Sequence, residues 1–133
     1  MTFPLKIVTP DGLIFDGQAE ELVVRTTSGD LGILAGHINC VAPLGMGRAT
    51  VITDGKRKFA ACIGGMMAVT DGEVKVVATT FEWADTIDVS RAKLSEQRAK
   101  DVISDKSSTN TDLRLAEARL KRALVRKNVA SRK

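Results

Sequence analysis

Hydrophobic and polar positions change their rhythm once along this chain. Up to about residue 81 they come in short, Val-, Ile- and Thr-rich runs separated by turn residues. Such runs are the expected pattern of strands. Leu5–Thr9 precedes Pro10-Asp11-Gly12, Leu13–Phe15 precedes Asp16-Gly17, and Glu21–Thr27 precedes Ser28-Gly29-Asp30. Two hairpins are better marked. Thr50–Thr53 and Lys56–Cys62 flank Asp54-Gly55, and Met67–Thr70 and Glu73–Thr79 flank Asp71-Gly72. An Asp-Gly pair suits a type I′ turn, whose two central residues need positive φ and whose twist matches the strands. All eleven glycines lie in this half, the last being Gly72. The spacing predicts a flattened β-sandwich or barrel over residues 1–84.

After Trp83 the grammar is helical. No glycine or proline occurs from Ala84 to Lys133. Thr86-Ile87-Asp88 reads as a helix start with Asp88 as N-cap, accepting from unpaired backbone N–H groups. A helix of about 88–104 would be roughly 25 Å long. Ser104-Asp105-Lys106-Ser107-Ser108-Thr109-Asn110 is a polar connector, and Asn110 or Thr111 is expected to cap a second helix over about 111–130. A short link between two helices implies an antiparallel helical hairpin, here filling residues 85–133. Its seam would be Ala92, Ser95, Ala99, Val102 and Ile103 against Leu113, Ala116, Leu120, Ala123 and Leu124. Alanine seams allow close approach but bury little, so the hairpin reads as a moving part.

Charge sharpens the division. Residues 1–84 carry seven basic and nine acidic residues, whereas 111–133 carry eight basic residues against Asp112 and Glu117. The net charge of +4 therefore sits on the second helix. No apolar run approaches the roughly 18 residues that span a bilayer, and no signal-peptide pattern opens the chain, so a soluble cytoplasmic protein without direct membrane insertion is expected.

Covalent and metal chemistry find little to work with. Phosphate-loop, zincin and nucleophile-elbow motifs are all missing. His37 is the one histidine, and no recognisable motif sets Cys40 beside it as a nucleophile. Cys40 and Cys62 read as buried free thiols, with neither disulfide nor metal implied. Gly64-Gly65 reads as a turn or bulge that permits close backbone approach. A small hydrolase built on His37 or Cys40 is thus a poor alternative to a non-catalytic protein.

The chemistry-bearing pattern lies in the tail. Arg119, Arg122 and Arg126 follow i, i+3, i+7 spacing and share one helical face. The planar guanidinium fork suits phosphate or carboxylate. From the residues alone, a solvated basic face, an acidic protein surface, a nucleotide phosphate and nucleic acid all remain open. The lack of stacking aromatics and the acidic balance of residues 1–84 weigh against nucleic acid.

Leu5-Lys6-Ile7-Val8-Thr9-Pro10 and Gly29-Asp30-Leu31-Gly32-Ile33-Leu34-Ala35-Gly36-His37 resemble the ATP synthase epsilon subunit family. Gly64-Gly65, Asp71-Gly72-Glu73 and the helical tail fit the same family, so the resemblance spans essentially the whole chain. It departs at Ala35, where members often have proline, and at Ile38-Asn39. The resemblance implies a non-catalytic central-stalk (rotor) subunit of an F-type ATP synthase, peripheral on the cytoplasmic face of the cell membrane. The implied partners are the gamma subunit, the c-ring and the catalytic alpha and beta subunits. The helical hairpin would restrain ATP hydrolysis when extended. Some bacterial members bind ATP in the folded form, which makes ATP a regulatory ligand and not a required cofactor. On that resemblance Ile87, Asp88, Arg91 and Ala92 match the first part of the binding motif, and Arg122 and Arg126 the second. Glu82 would stand near the adenine, and Arg119 would extend the basic face.

Overall fold

The computed structural model of the chain describes residues 1–131. Seven strands come first: β1 (Phe3–Thr9), β2 (Gly12–Ala19), β3 (Glu21–Thr26), β4 (Gly29–Leu34), β5 (Cys40–Thr53), β6 (Lys56–Thr70) and β7 (Glu73–Trp83). A 3₁₀ turn, Ala84–Thr86, leads to α1 (Val89–Ser104) and α2 (Asn110–Ala130). Both Asp-Gly pairs form the expected turns, with φ of 52° and 71° at Asp54 and Gly55 and of 50° and 83° at Asp71 and Gly72.

Three local expectations change. Asp16-Gly17 is no turn but lies inside β2, an edge strand paired only with β1, where polar residues meet solvent. Gly29 opens a strand, β4, that its glycines had hidden. β5 begins at Cys40, ten residues before the segment that the Asp54-Gly55 hairpin signal marks.

The hydrogen-bonded order is β2-β1-β7-β6-β5-β3-β4, with β1 and β7 parallel and the other neighbours antiparallel. Strands from opposite ends of that order share one core. Phe3, Leu5 and Ile7 of β1 are buried in the same cluster as Leu22 and Val24 of β3. The sheet must therefore close over itself, which makes a flattened sandwich.

The corner lies along one line across three strands. Gly45, Gly64 and Thr79 are skipped in otherwise unshifted pairings of β5, β6 and β7. Gly64 and Gly65 have φ of 70° and 116°. The inward face changes phase at this line. In β7 the core residues are Val74, Val76 and Ala78 on one side of it, and Phe81 with the partly buried Trp83 on the other. In β6 they are Met67 and Val69, then Ala60 and Cys62. A period-two strand that loses phase turns every later side chain over, so Glu82 points away from the main core.

Asp88 caps α1 as its sequence suggests, its Oδ1 accepting from the Arg91 N–H at 3.0 Å. The second cap is Thr109, not Asn110 or Thr111. The Asp112 N–H donates to Thr109 Oγ1, and the Thr109 N–H donates to Asp112 Oδ2, both at 3.1 Å. This reciprocal box satisfies two backbone donors at once, which neither alternative offers. The seam is built on Ala92, Ala99, Ala116 and Ala123, all buried. Ser95, Val102, Leu113 and Leu120 flank it partly covered. Ile103 and Leu124 leave it: they stay 37% and 45% exposed, because the close alanine approach fills the interface before their faces reach it.

Candidate functional site

The hairpin rests on the sandwich through the far end of α2. Val129 and Ala130 pack with Ala61, Ala84 and Ile87 in a cluster separate from the main core, with Phe59, Val89 and Val125 partly covered around it. This cluster holds the C-terminal end of α2 beside the start of α1. Candidate residues remote in sequence thereby come together.

Glu82 is the hub of that arrangement. The β7 phase change aims it outward, beside Ala61 in register, and its Oε1 accepts from Arg126 Nε at 2.8 Å. The two side chains are 32% and 27% exposed. A pair this open contributes on the order of 1 kcal/mol or less. Its greater effect is positional, because it fixes the guanidinium plane. The terminal nitrogens of Arg126 make no other hydrogen bond among the described residues and remain as donors.

The other candidates divide. Ile87 is buried in the docking cluster and Ala92 in the seam, so both act through packing. Asp88 caps α1 through one carboxylate oxygen, Oδ1. Arg91 is exposed in the first turn of α1 and Arg122 half-buried on α2, and neither guanidinium has a carboxylate partner among the described residues. Arg119 stands apart. It lines a cleft of about 520 Å³ near the hairpin connector, with Arg98, Asp105 and Asp112. That cleft lies two turns, roughly 10 Å, along the helix from Arg126.

Three residues that sequence reasoning overlooked complete the region. Lys127 Nζ donates to Glu96 Oε2 at 2.6 Å, and Lys100 Nζ donates to Oε1 of the same carboxylate at 2.9 Å. These bonds, first from Lys127 and then from Lys100, hold the Glu96 carboxyl below its ordinary range. The i, i+4 spacing of Glu96 and Lys100 is legible in sequence; the reach from Lys127 is not. In the connector, the backbone and then the hydroxyl of Ser107 lower the Asp105 carboxyl likewise.

Elsewhere the geometry argues against covalent catalysis. His37 Nδ1 lies 2.8 Å from the carbonyl of Ile38, so that nitrogen carries the proton and donates it there. It cannot also accept a proton from the Cys40 thiol 4.0 Å away. Burial pushes the Cys62 thiol up to about 12, which leaves it inert. Cys40 is only partly buried, against expectation. Among the described residues no three His, Cys, Asp or Glu side chains gather as metal ligands, and no helix is long and apolar enough to cross a membrane.

Comparison with known proteins gives consistent results. Residues 2–84 match the family model described as ATP synthase, Delta/Epsilon chain, beta-sandwich domain. Residues 85–131 match its long alpha-helix domain. The ATP synthase epsilon chain of Bacillus velezensis is 44% identical over 129 residues, covering 97% of each chain. That of Ruminococcus albus is 40% identical over 132 residues, covering 98% of each. Among solved structures, a chain of the Euglena gracilis mitochondrial ATP synthase superposes with a TM-score of 0.84 at 22% identity, over 99% of this chain and 82% of that one. A chain of the Tetrahymena thermophila mitochondrial ATP synthase central stalk and c-ring gives 0.66 at 13% identity, over 96% and 95%. At those identities the two superpositions speak for the fold.

Proposed function

The chain belongs to the ATP synthase delta/epsilon family, and from that premise we propose that it is a non-catalytic central-stalk subunit whose helical hairpin responds to ATP. The sandwich is the fixed part, which would seat on the gamma subunit and the c-ring on the cytoplasmic face of the membrane. The hairpin is the regulatory part, which restrains ATP hydrolysis by the alpha and beta subunits when it leaves the sandwich.

One observation carries this reading: Arg126 is tied to Glu82 by a single part-buried contact, while Arg91 and Arg122 have no carboxylate partner among the described residues. On α2, Arg122 and Arg126 follow one another by a single turn beside a small apolar cluster, and Arg91 lies in the first turn of α1. A triphosphate would give these arginines charge-assisted hydrogen bonds. Asp88, with one oxygen on its cap, has a second for a ribose or base donor. A ligand that binds only the folded form stabilises it by about 2.7 kcal/mol at a hundredfold excess over its Kd. Against a seam of alanines, that is enough to shift the population. When nucleotide is scarce, the basic α2 is free to meet an acidic surface on the catalytic head, a contact that salt should weaken.

Titration of ATP into the full-length chain, read by hydrogen exchange over residues 85–130, tests the reading. Protection should rise with nucleotide in both helices and stay level in the β-strands. Exchange that ignores ATP would remove the nucleotide response and leave the stalk role standing.

A further inference from the structure

We propose that a notch at the free end of β6 is a ligand site separate from the arginine face, and that it takes a small aromatic anion. The class is a flat ring system bearing one carboxylate, sulfonate or phosphate group. The notch follows from unequal strand lengths. β7 ends at Trp83, which pairs with Ala60, while β6 already begins at Lys56. Lys56, Arg57, Lys58 and Phe59 therefore pair with β5 alone. The chain leaves the sheet through the turn Ala84–Thr86, and the angle between that turn and the overhanging strand holds a cavity of about 330 Å³. Glu82 and the candidate arginines of the helices do not line it.

Its walls are aromatic and its charge is positive. Phe59 and Trp83 line it, both half-buried. Trp83 is backed by two further rings, edge-on to Phe81 at 5.1 Å and to Phe15 at 6.4 Å between centroids. An indole braced in this way loses little freedom when a ligand packs on it. Arg57 and Lys58 alternate to opposite faces of β6, so a cation flanks the notch on each side. The Lys58 ammonium lies 5.6 Å from the centre of the Trp83 ring, a cation–π contact that keeps charge and ring together. Neither cation has a carboxylate partner among the described residues. Among those residues Asp85 is the single acid along the wall, which leaves the notch net positive. Small-molecule pockets run from about 300 to 1,000 Å³. This one lies at the lower end, with room for one or two fused rings. A ringless anion would leave the aromatic wall uncovered, and a neutral arene would leave the cations unmet, so the ligand carries both features. The inference goes beyond the proposed function and does not depend on it.

Titration of the full-length chain with 2-naphthoate, followed in proton–nitrogen correlation spectra, tests the site. Trp83 is the one tryptophan, so its indole N–H is an unambiguous reporter. That signal and the backbone amides of residues 57–59 and 84–86 should shift saturably, with a Kd below about 1 mM. The neutral alcohol 2-naphthalenemethanol should bind about fivefold or more weakly, and acetate should not saturate the site in that range. Arg57→Gln combined with Lys58→Gln should weaken 2-naphthoate by about fivefold or more. Both positions are exposed, so the substitutions leave the core intact. Absence of saturation, shifts centred on Glu82, Arg122 and Arg126 instead, equal affinity for the neutral alcohol, or undiminished binding by the double variant would each overturn the assignment.

Discussion

Arg126 and Glu82 meet across 44 positions of chain, Nε to Oε1 at 2.8 Å, joining the last turns of α2 to the end of β7. The contact orients one arginine of the basic face, while Arg119 and Arg122 have no carboxylate partner among the described residues, which ranks the candidate ligands of the nucleotide. Arg126→Ala and Arg122→Ala should each weaken ATP binding tenfold or more in calorimetric titration, since a hydrogen bond to a charged group is worth about 1.5–3 kcal/mol. Arg119→Ala, which alters the cleft near the connector, should change affinity less than twofold. Equal losses at Arg119 and Arg126 would remove this assignment.

Removal of the chain after Asp88 should leave a folded β-domain. The main core draws on β1 to β7 alone, and the truncation uncovers the small patch around Phe59, Ala61, Ala84 and Ile87 together with the part of β5 that α2 covers. Circular dichroism should report strand content with a single cooperative thermal transition. A truncated chain that melts without cooperativity would show that the helices complete the core.

The corner of the sheet tolerates no side chain at one position. A Cβ added at Gly65 would fall 2.0 Å from the Val77 carbonyl oxygen, at a φ of 116°. Gly65→Ala should therefore destabilise by about 3 kcal/mol or more, the sum of backbone strain and a steric clash that moves β7. Gly72→Ala, in an open turn with nothing within 4 Å, should cost about 1 kcal/mol, from positive φ alone. Urea denaturation of both variants checks the order, and a reversal would contradict the corner geometry.

Acid should loosen the seam before the sandwich. The Lys127 and Lys100 bonds lower the Glu96 carboxyl from 4.5. A group depressed in the folded state stabilises it fully above its unfolded value. That contribution fades as pH falls below 4.5 and through the lowered value. Helical hydrogen-exchange protection should drop over this range in the parent chain and much less in Glu96→Gln, which begins without the charge pair. Asp105, depressed by Ser107, supplies the residual slope. Identical acid profiles for the two proteins would show that Lys127 and Lys100 do not stabilise the seam through Glu96.

Much of the architecture was legible because its causes are local. Asp54-Gly55 and Asp71-Gly72 announced their turns through a need for positive φ, and Asp88 announced a cap through a side chain that reaches its own helix start. Local signals also misled where pairing overrode them. Asp16-Gly17 reads as a turn but runs straight through edge strand β2, and Gly29 and Gly32 conceal β4. The capping box at Thr109 was present in the spacing to Asp112, yet Asn110 and Thr111 compete for the same role on composition.

What the chain determined by itself is therefore its inventory: a strand-forming half, a helical half without glycine or proline, and a run of arginines on α2. The tertiary structure decided which arginine meets a carboxylate, that Lys127 crosses to Glu96, and that Glu82 faces the helices at all. The last depends on a phase change where the sheet folds at Gly64 and Gly65. Side chains alternate with period two, so the face of every residue beyond that corner follows from how three strands bend together. No short window of sequence carries that information.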